Sequence, residues 1–331
     1  MAFDSHDVER KVISILKILS DSREPLGARV IANHLKEYGV ELGERAVRYH
    51  LKLMDERGLT RLIGRRDGRV LTEQGAEEVK SALVKDKVGL AISRIELLAY
   101  RTTFECEKYG GLVPVNVSFF PSGEFNNALE VMKPAFDEGL CVSELVAVAR
   151  EGKMLGGLTV PEGKVGLATV CSIVVNGTLL KVGIPMVSTF SGILQIKNHK
   201  PLRFVELIYY SGCTLDPSDV FIKARMTSVG EVAKSGSGQI LATYREIPAL
   251  CRPKVVEEVA KLKNFGLEGV LVMGNPSEPV CEIPVEPNRV GIVLLNGLNP
   301  VAAAVEAGIE VENRGMSTVM EYRDLVSFKE I

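Results

Sequence analysis

The amino-acid sequence predicts a mixed α/β (α+β) protein, with an N-terminal winged helix-turn-helix followed by a duplicated β-α-β-β-α-β domain. Three observations lead to this prediction. Helical patterns and a glycine-bounded hairpin fill residues 1–72, and a helix-sized segment of mixed charge spans residues 73–88. Two self-similar segments, at about 112–197 and 239–323, lie within residues 89–331. A chain of 331 residues is long enough for two or three domains.

The composition is that of a folded soluble protein, with 46% hydrophobic and 25% charged residues. The net charge of −2 means that any nucleic-acid site must be a local patch. The longest apolar stretch, 165–187, contains Asn176 and Lys181 and therefore predicts a buried strand plus helix, not a membrane span. The first residues lack the pattern of a secretory signal. We expect a cytoplasmic protein with no membrane partner and with reduced thiols.

Residues 43–58, GERAVRYHLKLMDERG, predict an amphipathic helix with a basic outer face. At about 100° per residue, Val47, Leu51 and Met54 fall on one stripe and would dock on the core. Gly58 follows as a C-terminal stop. The opposite stripe would face outward, and it consists of Arg45, Arg48, Tyr49 and Lys52.

The neighbouring segments complete a winged helix. Two shorter helical patterns precede the basic helix, and only residues 40–43 separate it from the second, which is helix-turn-helix spacing. The segment LTRLIGRRDGRVLT then predicts a β-hairpin with an arginine-rich tip. Residues 43–70 carry eight basic and four acidic residues, so the local charge is +4. This charge favours duplex DNA as the partner. Winged helices also serve as protein-docking modules, and that is the alternative.

The arginines divide into two expected roles. Arg45 and Arg48 are placed to reach base edges, because a bidentate arginine–guanine contact is the commonest specific one. Arg65, Arg66 and Arg69, in the hairpin, are expected to hold phosphates or the minor groove. After the hairpin, the segment TEQGAEEVKSALVKDKV predicts a helical linker that ends near residue 88.

Residues 89–331 contain an internal duplication. NALEVMKPAFDEGL at 127–140 matches KVVEEVAKLKNFGL at 254–267, with a shared glutamate and a closing Gly-Leu pair. KVGLATVCSIVVNGTLLKVGI at 164–184 matches RVGIVLLNGLNPVAAAVEAGI at 289–309. Ordered self-similarity of this kind indicates a repeat. Each copy predicts strand, helix, strand, strand, helix, strand, and two copies predict adjoining sheets or one larger sheet with helices on one side.

Candidate ligand residues lie at two corners where a strand ends and a helix begins. Unpaired N–H groups and the helix dipole favour anions at such corners, which here are residues 169–172 and 296–300. Asn299 is a natural N-cap and Pro300 suits the first helical position, so helix capping alone is the alternative.

The connection between the copies, residues 198–238, is long for a loop and is therefore expected to carry function. It holds the polar turn SGCT. An arginine at position 245, among apolar neighbours, favours either a ligand carboxylate or a structural salt bridge. The candidate effector contacts from the corners, the connection and this strand are Cys171, Ser172, Cys213, Thr214, Arg245, Asn296 and Asn299.

The sequence predicts no enzyme, cofactor or metal site. It has no G-x-S-x-G, no GxxxxGK[ST], no His/Glu metal pair and no Ser-His-Asp order. Its six cysteines stand at least 30 residues apart, which excludes C-x-x-C spacing. Two alternatives remain open: an enzyme fused to a winged helix, and a pure dimerisation or protein-docking domain.

Several long stretches resemble one known family, the NrpR repressors of archaeal nitrogen regulation. They are GARVIANHLKEYGVELGERAVRYHLKLMDERGLTRLIGRRDGRVLTEQG, SGCTLDPSDVFI, MTSVGEVAKSGSGQILATYREIP and GLNPVAAAVEAGIEVENRGMSTVMEY. The resemblance covers nearly the whole chain as one winged helix and one regulatory domain. Some members carry two regulatory domains, so the chain acts either alone or beside a related chain.

The resemblance implies a homodimeric transcriptional repressor of nitrogen-assimilation genes. It implies that double-stranded operator DNA is the partner and that 2-oxoglutarate is the effector that weakens operator binding. The effector residues given above follow from physical reasoning and not from the family.

Overall fold

The computed structural model describes residues 5–22, 24–37, 40–64, 68–81 and 89–331. The chain divides into two compact units, residues 1–93 and residues 94–331.

The first unit is a winged helix, as predicted. Its helix α3 turns Val47, Leu51 and Met54 fully inward, onto a core shared with α1 and α2. Gly58 ends the helix in a left-handed conformation, with φ of 72°. The elements are α1 (Ser5–Asp21), α2 (Ala28–Glu37), α3 (Glu44–Glu56), β1 (Thr60–Gly64) and β2 (Gly68–Leu71).

The hairpin of β1 and β2 is antiparallel, and Leu26 adds a short bridge to Arg69. Gly68 is required at this point, because a Cβ there would lie 2.5 Å from the Leu26 carbonyl oxygen. Its φ of 99° also favours glycine. The bridge holds the base of the wing against the start of α2.

The predicted linker begins as a helix of the first unit. Helix α4 (Glu73–Ser81) packs on α1, and Val79 contacts the same apolar core. The rest of the predicted linker, residues 82–88, lies outside the described residues. Helix α5 (Leu90–Arg101) follows and carries the chain across the boundary between the units.

In the second unit the predicted element order of both repeats is confirmed. The apolar stretch 165–187 forms a buried strand and helix, as expected. The first repeat comprises β3 (Leu112–Pro121), α6 (Phe125–Asp137), β4 (Leu145–Arg150), the small hairpin β5 (Met154–Leu155) and β6 (Leu158–Thr159), β7 (Lys164–Val170), α7 (Ile173–Lys181) and β8 (Val187–Lys197).

The connection between the repeats is built of regular elements and is not a loop. It comprises β9 (Lys200–Tyr209), α8 (Pro217–Lys223) and α9 (Val229–Ser235). The second repeat and the C-terminus comprise β10 (Gly238–Pro248), α10 (Arg252–Lys263), β11 (Val270–Met273), β12 (Arg289–Leu295), α11 (Asn299–Glu306), β13 (Glu312–Glu321) and β14 (Val326–Ser327).

The repeats exchange their last strands. One five-stranded sheet has the order β13-β3-β7-β4-β14, and the other has the order β11-β12-β10-β8-β9. All neighbours within them are antiparallel. Strand β13 of the second repeat therefore completes the sheet of the first, and β8 of the first completes the sheet of the second. Neither repeat can form its full sheet alone, which joins the two into one folding unit.

Two apolar cores hold this unit. One includes Phe120, Phe136 and Phe190 together with residues of α6 and α11, and the other includes Phe104 and Phe119 together with residues of α7 and α10. Across the described part of the chain, no helix has both the length and the apolar character needed to span a bilayer.

Candidate functional site

The outward face of α3 is basic and open to solvent. The Tyr49 ring is 62% exposed. Arg48 and Lys52 each make an ion pair within one helical turn, with Glu44 and Glu56 respectively. Because all four charged groups are largely exposed, such pairs contribute little, and phosphates can compete for the two cations. The predicted contacts that lie on this exposed face are Arg45, Arg48, Tyr49 and Lys52.

One carboxylate of α3 fastens the wing. Asp55 accepts a hydrogen bond of 2.8 Å from Arg69 Nε on β2 and one of 2.6 Å from Thr60 Oγ1 on β1. Arg69, predicted as a phosphate contact, thus has one N–H committed to positioning the hairpin. The other two predicted wing contacts, Arg65 and Arg66, lie outside the described residues.

A polar cavity lies within the second unit, where the two repeats meet. It encloses about 300 Å³, open solvent at its mouth included, and its interior has room for about one water molecule. The corners after β7 and β12, strands β3, β10 and β13, and the connection all contribute walls. Its polar side chains are Asn116, Ser172, Tyr210, Asp216, Ser218, Thr243, Arg245 and Asn296.

Several of these groups are buried without a hydrogen-bond partner among the described residues. They are Arg245 Nε and Nη1, Asn116 Nδ2, Thr243 Oγ1 and Asp216 Oδ2. A buried polar atom without a partner costs about 1–3 kcal/mol, and more when it is charged. The set is rich in N–H donors, so the matching ligand is one that presents several anionic or carbonyl oxygens.

Arg245 is the dominant charge of the cavity. Its side chain is only 1% exposed, and its Cζ lies 5.4 Å from the centre of the Tyr210 ring. Burial lowers the pKa of the guanidinium, although the neighbouring Tyr210 and Cys171 act in the opposite direction. A buried arginine is normally bound to a carboxylate, and none of the described carboxylates lies within 4 Å of Arg245 to form an ion pair. The guanidinium is therefore available to a ligand.

Asp216 supplies the only carboxylate among the residues that line the cavity. Its Oδ1 accepts a 2.9 Å hydrogen bond from Ser218 N and caps α8, while Oδ2 is the atom without a partner. Burial raises the pKa of this carboxyl, and Asp219 raises it further, whereas the Ser218 hydrogen bonds and the charge of Arg94 lower it. An anion that entered the cavity would raise the pKa of Asp216 further, because it would disfavour a second negative charge nearby.

The cavity brings together four of the seven predicted effector residues, and three lie elsewhere. Asn299 is fully buried, but its amide clasps the backbone N–H and C=O of Leu241 at 2.8 and 3.0 Å. The predicted N-cap role of Asn299 is wrong, because Leu298 is the N-cap of α11. Cys213 Sγ donates to the Leu215 carbonyl. The residues in the cavity are Cys171, Ser172, Arg245 and Asn296, and those outside it are Cys213, Thr214 and Asn299.

Besides Ile173 and Leu298, sequence reasoning missed six further lining residues. Some carried a signal: Asn116 is a polar residue inside the apolar strand VPVNVSFF, and Asp216 sits in an Asp-Pro-Ser helix start. The others, spread over β10, β13 and the connection, are ordinary in their local context, and only the tertiary fold collects them. These six residues are Asn116, Tyr210, Asp216, Ser218, Thr243 and Met316.

A glycine lets the two repeats approach each other at this point. A Cβ on Gly297 would lie 2.0 Å from the Val170 carbonyl oxygen and 2.8 Å from Asn116 Nδ2. The corner after β12 can therefore rest directly on the end of β7. Close by, Asn296 Nδ2 donates to Ser218 Oγ at 2.7 Å, which ties the same corner to the connection.

The cavity has no feature of a metal or thiolate centre. In the described residues no three His, Cys, Asp or Glu side chains are grouped so as to hold a metal ion. Burial raises the pKa of the Cys171 thiol to about 11 and that of Tyr210 to about 12. Both groups are therefore neutral at physiological pH.

Comparison with known proteins follows the same division of the chain. Residues 88–327 match the model of the NrpR regulatory domains NRD1 and 2, and residues 13–79 match that of the ribonuclease R winged-helix domain. The chain belongs to the NrpR family. The global nitrogen regulator NrpRI of Methanosarcina mazei is 41% identical over 96% of this chain and 98% of its own length.

Two other NrpR proteins are longer than this chain. The global nitrogen regulators NrpR of Methanocaldococcus jannaschii and Methanococcus maripaludis are 32% and 31% identical. The matches cover 98% and 96% of this chain, but only 56% and 54% of those proteins. The crystal structure of a nitrogen repressor-like protein from Methanococcus jannaschii is also similar, with a TM-score of 0.61 and 26% identity. It covers 72% of this chain and 98% of that one.

Proposed function

We propose that this NrpR protein is a homodimeric repressor of nitrogen-assimilation genes that binds operator DNA and is released by 2-oxoglutarate or a similar small dicarboxylate. The observation that carries the effector half is Arg245, a buried guanidinium with two N–H groups that lack a partner, in a cavity lined by further donors. The exposed basic face of α3 supports the DNA half.

The DNA half follows from charge and shape. Helix α3 presents Arg45 and Arg48 on its outer face, where they would reach base edges in the major groove. A homodimer presents two such helices, which fit half-sites one helical turn apart, about 34 Å. This predicts an operator with inverted symmetry. The counterions released by the phosphate contacts predict binding that weakens steeply with salt.

The effector half follows from donor geometry. A carboxylate satisfies a guanidinium through two parallel charge-assisted hydrogen bonds, so one end of a dicarboxylate would occupy Arg245. The amide of Asn116 and the hydroxyl of Thr243 are free to bind further ligand oxygens. Because the interior has room for about one water, a dicarboxylate requires the walls to move apart.

That movement is what makes regulation possible. A ligand shifts an equilibrium only by its differential affinity for the two conformations. The narrow cavity corresponds to the DNA-binding conformation, and the widened one corresponds to the effector-bound state with low operator affinity. The neutral thiol of Cys171 suits binding better than nucleophilic catalysis.

A binding assay with a matched control tests this proposal. The double variant Arg45→Ala, Lys52→Ala should weaken binding to a promoter fragment at least about 30-fold, since each charged contact contributes about 1–3 kcal/mol. Lys133→Ala removes an exposed lysine from α6 of the other unit and should leave binding unchanged. Adding millimolar 2-oxoglutarate to the wild-type complex should release the DNA. Equal affinity of the double variant, or no release by the effector, would contradict the proposal.

A further inference from the structure

Strand β13 carries a large irregularity beside the cavity. Arg314 pairs with Val117 and Thr318 pairs with Val115, so residues 315–317 together face the single residue Asn116. Met316 has a φ of 49°, a left-handed conformation that side chains other than glycine rarely adopt. Backbone strain of this kind is retained only where the surroundings enforce it, and it is common at ligand sites and switches.

On one side, this bulge forms part of the cavity wall. Met316 lines the cavity, and its backbone N–H donates a 2.9 Å hydrogen bond to Asn116 Oδ1. The amide nitrogen of the same Asn116 is one of the donors without a partner. The carboxylate of Asp216 lies against Gly315, where a Cβ would approach Oδ2 to 1.8 Å. A ligand that binds Asn116 or Asp216 therefore acts on the bulge directly.

On the other side, α5 grips the bulge through one arginine. Arg94 Nε donates to the Met316 carbonyl, and Nη2 donates to the Ser317 carbonyl at 2.8 Å. Both acceptors are backbone atoms, so the contact depends on the position of the bulge and not on the identity of its side chains. The charge of Arg94 also lowers the pKa of Asp216.

Arg94 lies at the boundary between the two units. Helix α5 starts at Leu90, and its residues up to Ser93 belong to the winged-helix unit. Arg94 is the first residue of the regulatory unit. A helix is stiff over this length, so a displacement at Arg94 also moves the start of α5, where the chain leaves the first unit.

The first repeat offers an internal comparison. At the equivalent ladder, Tyr244 pairs with Phe190 and Arg245 pairs with Ser188, which leaves one extra residue, Thr189, where β13 has two. The enlarged bulge thus occurs in the strand that α5 contacts. The shared architecture of the repeats therefore does not by itself explain its size.

We propose that Arg94 transmits occupancy of the cavity to the DNA-binding unit, through its two hydrogen bonds to the bulge at Met316 and Ser317. Ligand entry draws Asn116 and Met316 apart, shifts the two carbonyls, and moves the start of α5. The inference rests on the proposed function, since it describes how that same site is regulated. Arg94 itself does not line the cavity, so it is a positioning residue and not a ligand contact.

The test separates binding from transmission. For the wild type, Arg94→Ala, Arg94→Lys and Glu96→Ala, three quantities are measured in the full chain: the Kd for 2-oxoglutarate, the Kd for a promoter fragment, and the ratio of promoter Kd values with and without saturating 2-oxoglutarate. Glu96 is an exposed residue of the same helix and serves as the control. In the wild type the ratio should fall in the range typical of allosteric coupling, about 5- to 150-fold.

Arg94→Ala should reduce the ratio to about 2-fold or less while each separate Kd changes by less than about 3-fold, because Arg94 neither lines the cavity nor lies on the basic helix. Arg94→Lys keeps the charge, can hold one carbonyl, and should retain part of the ratio. A full ratio in Arg94→Ala would overturn the inference. The inference would also be overturned if Arg94→Ala lost 2-oxoglutarate affinity by the same factor by which it lost the ratio of promoter Kd values. A wild type that does not respond to 2-oxoglutarate would instead overturn the proposed function and this inference with it.

Discussion

The two repeats of the regulatory unit place different residues at one equivalent position, and the difference supports the proposed effector site. In the first repeat, Ser118 on β3 lies opposite Asn313 and shares a 3.0 Å hydrogen bond with it. In the second repeat, the equivalent residue of β10 is Arg245, opposite Ser188, and its guanidinium has N–H groups without a partner. At this position the polar side chain of the first repeat has a partner, whereas Arg245 of the second repeat has N–H groups without one.

The features that the two repeats share belong to the fold, and the residue in which they differ concerns the proposed function. The element order and the strand exchange are common to both repeats, so they are explained by folding alone. Folding does not explain the unpaired buried charge of Arg245, because such a charge destabilises the folded protein. Its retention supports the proposal that Arg245 binds the effector. The asymmetry between the repeats therefore points to a single effector site in the unit and not to one site per repeat.

The largest expected effect comes from removing the asymmetric charge. Arg245→Met should weaken 2-oxoglutarate binding about 100-fold, since a charge-assisted hydrogen bond contributes about 1.5–3 kcal/mol. The same variant should raise the free energy of unfolding of the effector-free protein, because it replaces a buried unpaired charge with an apolar side chain of similar length. Calorimetric titration and denaturant unfolding measure the two changes.

The matched control for this variant is Ser118→Ala in the first repeat. It should leave effector affinity within about 3-fold and should lower stability by about 1 kcal/mol through the lost hydrogen bond to Asn313. If Arg245→Met destabilised the free protein and bound 2-oxoglutarate normally, Arg245 would be a structural residue and the comparison would lose its functional meaning.

A smaller effect is expected at the junction of the repeats. Gly297→Ala places a Cβ 2.0 Å from the Val170 carbonyl oxygen, and such overpacking costs about 1–3 kcal/mol. The equivalent residue of the first repeat is Ser172, where Ser172→Ala removes only a hydroxyl and should be nearly neutral. Thermal unfolding of the two variants measures the difference. Equal stability would show that the repeats are not held as closely as the structure indicates.

The smallest effect is a dependence of effector affinity on pH. Asp216 comes from the connection, and burial raises its pKa above the ordinary value of 3.8. A carboxylate ligand nearby raises that pKa further, so binding favours the protonated form. Affinity should then be highest below the pKa of the free protein and should fall as pH rises through the pKa of the complex, by at most about tenfold per pH unit.

Asp216→Asn is the control for this dependence, because an amide cannot ionise. It should bind 2-oxoglutarate with an affinity that is flat over the same pH range. A slope that persists in Asp216→Asn would assign the proton to another group of the cavity.

The sequence correctly predicted the features that depend on local patterns of residues. The period of Val47, Leu51 and Met54 defined α3 and its outward basic face, and the order of strands and helices defined the repeats. Strand-end reasoning also selected Cys171 and Asn296, and the fold brings both to the cavity. The predictions of α3 and of the element order succeeded because each depends on residues that are neighbours in sequence.

The remaining cavity residues depend on contacts between distant segments. Asn116 and Met316 are 200 positions apart and meet only because β13 completes the sheet of the other repeat. The periodicity of the sequence does not predict that exchange of strands. The N-cap prediction for Asn299 was wrong for a related reason. Asparagine is a common N-cap residue, but this side-chain amide binds the backbone of Leu241, which is far from it in sequence.

The most direct test of the central claim, that occupancy of the cavity controls the basic helix, is calorimetric titration of 2-oxoglutarate into the protein with and without saturating promoter DNA. Linkage requires the two ligands to weaken each other by the same factor. We predict that bound DNA weakens 2-oxoglutarate affinity by the factor with which 2-oxoglutarate weakens DNA binding. Identical 2-oxoglutarate affinity in the presence and absence of DNA would contradict the account.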